Sequence, residues 1–434
     1  MNKIGTLIFS QHKNELGLLA KLAAAESLPL YLVGGCIRDH FLKRNSADYD
    51  FVTATDPSRL AKNFARQING HWFSLDDKRG YSRVVTRCAA KLQFDFAPFR
   101  GSTLEIDLSL RDFTINAMAL PLKFPLEDAE LFDPLNGQGD LAQQRLRMCS
   151  DLVFSADPLR IVKGIRHCAQ LDLDVAENTQ QQFIAHAPLL DQVAGERILS
   201  ELSQIFSAQN NGAAVQWLFD YGVAESLKLS APKDKVIAIC HAVEQHIIEF
   251  KQQNIADIMI QIDSVCGDGF SVRGIAYFLA ILDGCGVCAK NLDELLKRLH
   301  FEKRTARLLR FFLNTQGDEF SEYHQLSCSD RGNLLWLQHH HAPLPQALIF
   351  SQLLGISGVD SRRLFALQQC YAQSANNGRI QSLLSAQYIR QFVPDCSGPQ
   401  LGEYIKLIEQ AEIDGSITSV ADAQHYLDNC CKYN

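Results

Sequence analysis

The sequence predicts an α+β chain: a small head with a mixed sheet and helices, followed by an all-α neck, body and tail. Two observations carry this. Up to about residue 135, short apolar or alternating runs change places with short helical patterns, punctuated by Gly, Pro and Asn. From about residue 140 onward, apolar spacing is helical and proline is sparse. With 434 residues the chain has room for several domains. The expected segments are a head at 1–139, a neck at 140–225, a body at 226–380 and a tail at 381–434.

Taken in order, the head begins with a helical pattern around Leu16, Leu18, Leu19 and Leu22, closed by Pro29. Tyr31-Leu32-Val33 reads as a buried strand, broken by Gly34-Gly35. Two residues without a Cβ let the backbone turn sharply and approach a ligand closely. A short helix follows, with Arg38 near its start, where free N–H groups and the dipole favour an anion. Asp48-Tyr49-Asp50-Phe51-Val52-Thr53 is a second strand. Alternation puts Asp48 and Asp50 on one face and Tyr49 and Phe51 on the other. Paired carboxylates repel, and a divalent cation is the usual reason to set them together. Gly turn, arginine and carboxylate pair together suit Mg²⁺ held against a triphosphate. Next come a helix from Asp56-Pro57-Ser58 to near Gly70, strands at Trp72-Phe73 and Ser82 to Cys88, and the alternating run Leu92 to Ala97. In that run Asp95 lies opposite Phe94 and Phe96, a costly place for a carboxylate without charged partners or a metal.

Composition sets bounds. The chain is 47% hydrophobic and 21% charged, ordinary for a globular protein. No apolar run approaches the ~18 residues of a membrane span, and the N-terminal stretch has no long apolar core, so neither span nor signal peptide is expected and the cytoplasm is the expected location. The net charge of −7 gives no whole-chain nucleic-acid signal, so any RNA contact must be a local basic face. Lys303, Arg307 and Arg310 share one helical stripe and form one such candidate; a merely solvated face fits it equally well. The thirteen cysteines are scattered and read as buried thiols. Cys285 and Cys288 form a lone C-x-x-C with no second pair at zinc-ligand spacing.

LVGGCIRD followed by DYDFVT resembles the head domain of class II tRNA nucleotidyltransferases and bacterial poly(A) polymerases, in the polymerase β superfamily. The resemblance implies a polymerase-β-like head and transfer of CMP or AMP from CTP or ATP to a tRNA 3′ end, with Mg²⁺ on Asp48 and Asp50. It implies a third catalytic carboxylate at Asp95, as metal ligand or general base, followed by the matching Phe99-Arg100. It assigns nucleotide binding to Gly34, Gly35 and Arg38, and, through a stretch resembling RRDFTINA, to Arg111 and Asp112. The first arginine of that stretch is Leu110 here.

Asp157-Pro158-Leu159-Arg160 resembles the EDxxR motif that opens the family's neck, with Ala156 in place of the leading Glu. Asp157 and Arg160 are three apart at a helix start and share a face. An Asp accepts from an exocyclic amine and an Arg donates to a ring nitrogen, so the pair suits cytosine and adenine over uracil and guanine. The competing reading is an Asp that only caps the helix. Lys163 follows on the same face, within expected reach of phosphate or base. Glu196 to Glu201 matches ERxxxE, and the segment from Ser397 resembles the tail of tRNA nucleotidyltransferases. Only ten residues, 101–110, join Phe99-Arg100 to Arg111, where relatives that add full CCA have a flexible lever. That predicts either a partial reaction, CC or A, or full CCA addition with the switch carried by another segment, such as the polar stretch 74–81. A poly(A) polymerase is the nearest alternative, and a catalytically silent RNA-binding module is the alternative from another class.

Overall fold

The computed structural model describes residues 12–87, 91–124, 126, 129–208, 212–252, 262–314, 330–339, 375–376, 379–394 and 396–432. Two compact units divide the chain: Met1–Val193 with Asp220–Val223, and Ala194–Phe219 with Ala224–Asn434.

The first unit is built on six strands: β1 (Tyr31–Val33), β2 (Asp48–Thr53), β3 (His71–Asp76), β4 (Tyr81–Val85), β5 (Gln93–Pro98) and β6 (Ala119–Pro121). Their order is β3-β4-β5-β2-β1-β6. The pairing of β2 with β5 is parallel and the others are antiparallel. The period-2 pattern of the sequence becomes two unlike faces. On one, Tyr49, Phe51, Phe94 and Phe96 are buried and stacked on each other. Phe64 of the helix Ser58–Gln67 meets Phe94 edge-on at 5.1 Å. Aromatic pairs in such geometry add to what area burial alone contributes. The other face is covered only in part. Val33, Val52, Ala117 and Ala119 pack there with Leu108 of the helix Leu104–Ser109. Asp48 and Asp50 lie where this cover ends, and both are exposed.

Beyond the sheet, the helix Leu159–Leu171 buries Ile161, Val162, Ile165 and Cys168. Gly164 lets it sit against Phe183 and Phe113, since a Cβ there would fall 2.5 and 2.8 Å from their rings. The stretch after residue 140 is not purely helical. Arg145–Leu146 pairs with Asp174–Val175, Val265–Gly267 with Phe270–Ser271, and Ala375–Asn376 with Arg379–Ile380. Pairs of two or three residues are too short to write an alternating pattern into a sequence.

In the second unit the helix Val272–Gly284 is buried along nearly its whole length. Its Phe278 clusters with Phe206, Phe270 and Phe301, ring centroids 5.6 to 6.4 Å apart. Near the C-terminus the segment that resembles the family tail begins as the helix Gly398–Ile413, opened by a reciprocal cap between Ser397 and Gln400. Its buried Glu412 is satisfied by Arg331 at 2.7 Å and by the Leu383 N–H at 2.8 Å. Among the described residues no helix is long and apolar enough to cross a membrane.

Candidate active site

The site grows from the turn between β1 and the helix Gly35–Phe41. Gly34 has φ +83° and ψ −145°, a conformation open only to glycine. A Cβ there would meet Asp50 Oδ2 at 3.0 Å and Arg111 Nη1 at 3.6 Å. The glycine therefore brings backbone, carboxylate and guanidinium together at one point. Asp50 pairs in register with Val33 on one side and with Asp95 on the other. Asp48, two residues earlier, shares its face.

Asp50 is exposed to solvent, yet it is closely neighboured by the Gly34 turn, Arg111 and Asp95. Burial pushes its carboxyl above the usual range, and Asp95 and Asp48 push the same way, while Arg111 opposes them. Three carboxylates crowded on one face are the arrangement a cation relieves, so the donor set fits a divalent metal on Asp48 and Asp50. Among the described residues no group of three or more His, Cys, Asp or Glu side chains converges as a ready-made metal cage. Such a metal, when bound, supplies charge stabilisation to a transferring phosphoryl group.

Asp95 is already partnered. Its cross-strand neighbour Arg83 donates from Nε to Oδ1 at 2.8 Å and from Nη2 to Oδ2 at 2.7 Å. A bidentate pair of this kind fixes the carboxylate plane.

Arg111 is held from behind. Its Nε and Nη2 donate to Asp107 Oδ2 at 3.1 and 3.0 Å, and Asp107 Oδ1 accepts the Arg100 N–H at 3.0 Å. Asp107 is fully buried. The short connection 101–110 is thus a packed helix capped by Thr103 and pinned through Asp107.

The remaining residues form a buried polar seam running from the Gly turn to the helix Leu159–Leu171. Arg38 donates to Asp39 from Nε and Nη2, and from Nη1 to Asn116 Oδ1 at 2.8 Å. Asn116 donates to Asp112 at 3.2 Å and lies 3.4 Å from His167 Nε2. Lys163 Nζ meets Asp112 Oδ2 at 2.6 Å. Burial disfavours the Asp112 charge, but Lys163 and the bonds from Lys163 and Asn116 outweigh it and hold the carboxyl far below the usual range. His167 is kept neutral, well below its ordinary value, by burial and then by Arg166 and Arg38.

Asp157 follows the short helix Val153–Ala156, and its Oδ1 accepts from Leu159 N–H at 3.3 Å. Arg160 Nη1 donates to the Leu110 carbonyl at 3.2 Å, which places it beside the residue that departs from the family motif.

Gly34, Gly35, Asp48, Asp50, Asp95 and Arg111 thus lie together on one face of the sheet and at the turn beside it. Arg38, Asp112 and Lys163 lie in the polar seam behind it, tied to protein partners. Lys303, Arg307 and Arg310 lie in the second unit, where they line a concavity of about 620 Å³ with Lys297 and His300. Arg310 also pairs with Asp293 at 2.8 Å. Cys285 is half-buried, its thiol pushed up to about 11 by burial, and Cys288 is exposed. Sequence reasoning missed Arg83, Asp107 and His167. Asp107 was detectable as the acidic partner four residues before Arg111; nothing local marks the other two.

Comparison with known proteins places these elements among others. Residues 30–147 match the family described as poly A polymerase head domain, and 172–231 the family described as probable RNA and SrmB-binding site of polymerase A. The CC-adding tRNA nucleotidyltransferase of Geobacter sulfurreducens is 32% identical over 94% of each chain. That of Synechocystis is 27% identical over 91% of this chain and 92% of its own. A CCA-adding enzyme solved with CTP shares the fold with a TM-score of 0.75 at 21% identity, covering 99% of both chains.

Proposed function

Since the chain belongs to the tRNA nucleotidyltransferase family, being 32% identical to one member along 94% of both lengths, we propose that it adds nucleotides to the 3′ end of tRNA. It is a nucleotidyltransferase that moves CMP or AMP from CTP or ATP without a nucleic-acid template. The observation that carries the reading is the exposed pair Asp48 and Asp50, set against Gly34 and Arg111. That exposed pair also argues against a silent RNA-binding module.

In the proposed reaction the tRNA 3′-hydroxyl attacks the α-phosphate and pyrophosphate leaves. Asp48 and Asp50 hold the divalent metal, taken as Mg²⁺. Gly34 and Gly35 let the triphosphate approach the backbone, and Arg111 faces its charge. Asp95, its plane set by Arg83, stands beside Asp50 as ligand or proton acceptor. Arg38, Asp112 and Lys163 shape the nucleotide site through the seam. Asp157 and Arg160 read the exocyclic amine and ring nitrogen of the base. The segments 1–139, 140–225, 226–380 and 381–434 serve as head, neck, body and tail. Lys303 and Arg307 offer cations to the RNA backbone, with Arg310 shared with Asp293. A cytoplasmic location belongs to the same proposal.

The finer reading is addition of CC. The two relatives above that match over nearly full length carry that name. The connection 101–110, where a lever would sit, is a capped helix pinned by buried Asp107. The test uses tRNAs ending before CCA, after C and after CC, each with labelled CTP or ATP. Two C additions and no A addition are expected. Complete CCA formed by the purified protein alone overturns the CC reading. A long AMP tail identifies a poly(A) polymerase, and no incorporation on any tRNA overturns the transferase reading.

A further inference from the structure

The open face of the head sheet extends past the carboxylates. In-register partners on neighbouring strands point to the same face. Asp50 opposes Asp95, Asp95 opposes Arg83, and Arg83 opposes Phe73. One row of side chains therefore runs across four strands, from the proposed metal pair to edge strand β3. A parallel row holds Asp48, Gln93, Val85 and His71.

At the β3 end this face is apolar and uncovered. Phe73 is 49% exposed and Leu75 52%. His71, also exposed, lies beside Phe73 with ring centroids 6.3 Å apart and planes tilted by 35°. The opposite side is buried on β4, at Ser82 and Val84, and half-buried on β3, at Trp72 and Ser74, so the exposure is not general to the hairpin. With strands spaced about 4.8 Å apart, Phe73 lies about 10 Å of sheet from Asp95 and about 14 Å from Asp50.

We propose that Phe73, flanked by His71, is a stacking platform for an unpaired base at the 3′ end of the acceptor RNA. The proposal rests on the transferase reading above. On this proposal an RNA whose 3′-hydroxyl reaches the carboxylate pair lays its last nucleotides across this face. Single-stranded ends are held by aromatic side chains because every base offers a π-face. Arg83, between platform and carboxylates, puts a cation under the path of the backbone. An incoming nucleotide is the competing occupant. Its triphosphate is assigned to the Gly34 side of Asp50, whereas Phe73 lies on the far side, beyond Asp95 and Arg83.

The experiment uses the full-length protein and an acceptor-stem RNA with 2-aminopurine at its 3′-terminal position. Binding to the unaltered protein quenches the fluorophore. Phe73→Ala removes the quenching and raises the KM for RNA about tenfold, the scale of one lost base–aromatic stack, while the KM for CTP stays within about twofold. Phe73→Trp restores both. Because quenching is read on binding alone, it tests the platform even if no nucleotide is incorporated, and failure of incorporation by the unaltered protein counts against the transferase reading instead. Wild-type quenching and RNA KM in Phe73→Ala overturn the platform. So does a rise in the CTP KM with the RNA KM unchanged, which would assign the ring to the incoming base.

Discussion

Asp107→Asn tests the support beneath the site. Asp107 is fully buried and spends its two oxygens on different partners: Oδ1 on the Arg100 N–H, Oδ2 on Arg111 Nε and Nη2. An Asn of the same shape has one acceptor oxygen and one donor NH₂. Whichever way it turns, a donor faces a donor. The Arg111 side chain is only 12% exposed, so its charge loses a buried counter-ion. Breaking a buried pair on one side costs about 3–5 kcal/mol. In a unit of this size that lowers the melting transition by about 10 °C. Arg111 also loses its anchor beside Gly34 and Asp50, and misplacing a group by about 1 Å lowers transfer by about 10²-fold. Thermal unfolding by circular dichroism and CMP incorporation at saturating RNA read the two effects. In Asp107→Asn with Arg111→Met, the stranded charge is gone and part of the stability returns while transfer stays low. A single variant melting within about 2 °C of wild type at full activity would refute the reasoning.

Asp48→Ala and Asp50→Ala should each abolish incorporation while leaving melting temperature unchanged or raised, because Asp50 carries unfavourable burial and repulsion in the folded chain; a folded variant that still transfers CMP removes the assignment. Gly34→Ala forces a Cβ into a glycine-only conformation 3.0 Å from Asp50 Oδ2. It should cost about 1–3 kcal/mol of stability and weaken triphosphate binding, checked by urea denaturation and the KM for CTP. Arg160→Ala or Asp157→Ala should loosen exclusion of UTP and GTP, and unchanged discrimination in misincorporation assays moves base reading elsewhere. Asp112, whose folded carboxyl lies far below its ordinary value, contributes stability that is fully present above the ordinary carboxylate range and lost as pH falls below it. Asp112→Asn should therefore be less stable by about 2 kcal/mol at neutral pH, with the gap constant down to about pH 5 and narrowing below about pH 4; a gap that ignores pH contradicts this.

What the sequence alone determined is what local chemistry determines. Gly34-Gly35 after an apolar run, and Asp48 and Asp50 two apart on a strand, are covalent neighbours. Chain geometry alone puts the carboxylates on one face and frees the turn for φ +83°. The helical period after residue 140 is equally local. The tertiary structure decided everything that depends on strand order. Asp95 stands beside Asp50 because β5 pairs with β2 in parallel. Arg83 clamps Asp95 because β4 then adds on β5's far edge. Phe73 shares their face for the same reason, one strand further out. Arg38 and Lys163, assigned from sequence to the nucleotide, meet Asn116 and Asp112 across the fold. Propensity and periodicity specify which way a side chain points from its own backbone. Which charge it meets is settled by the packing of distant segments, whose registry only the closed hydrophobic faces of the sheet and its helices fix.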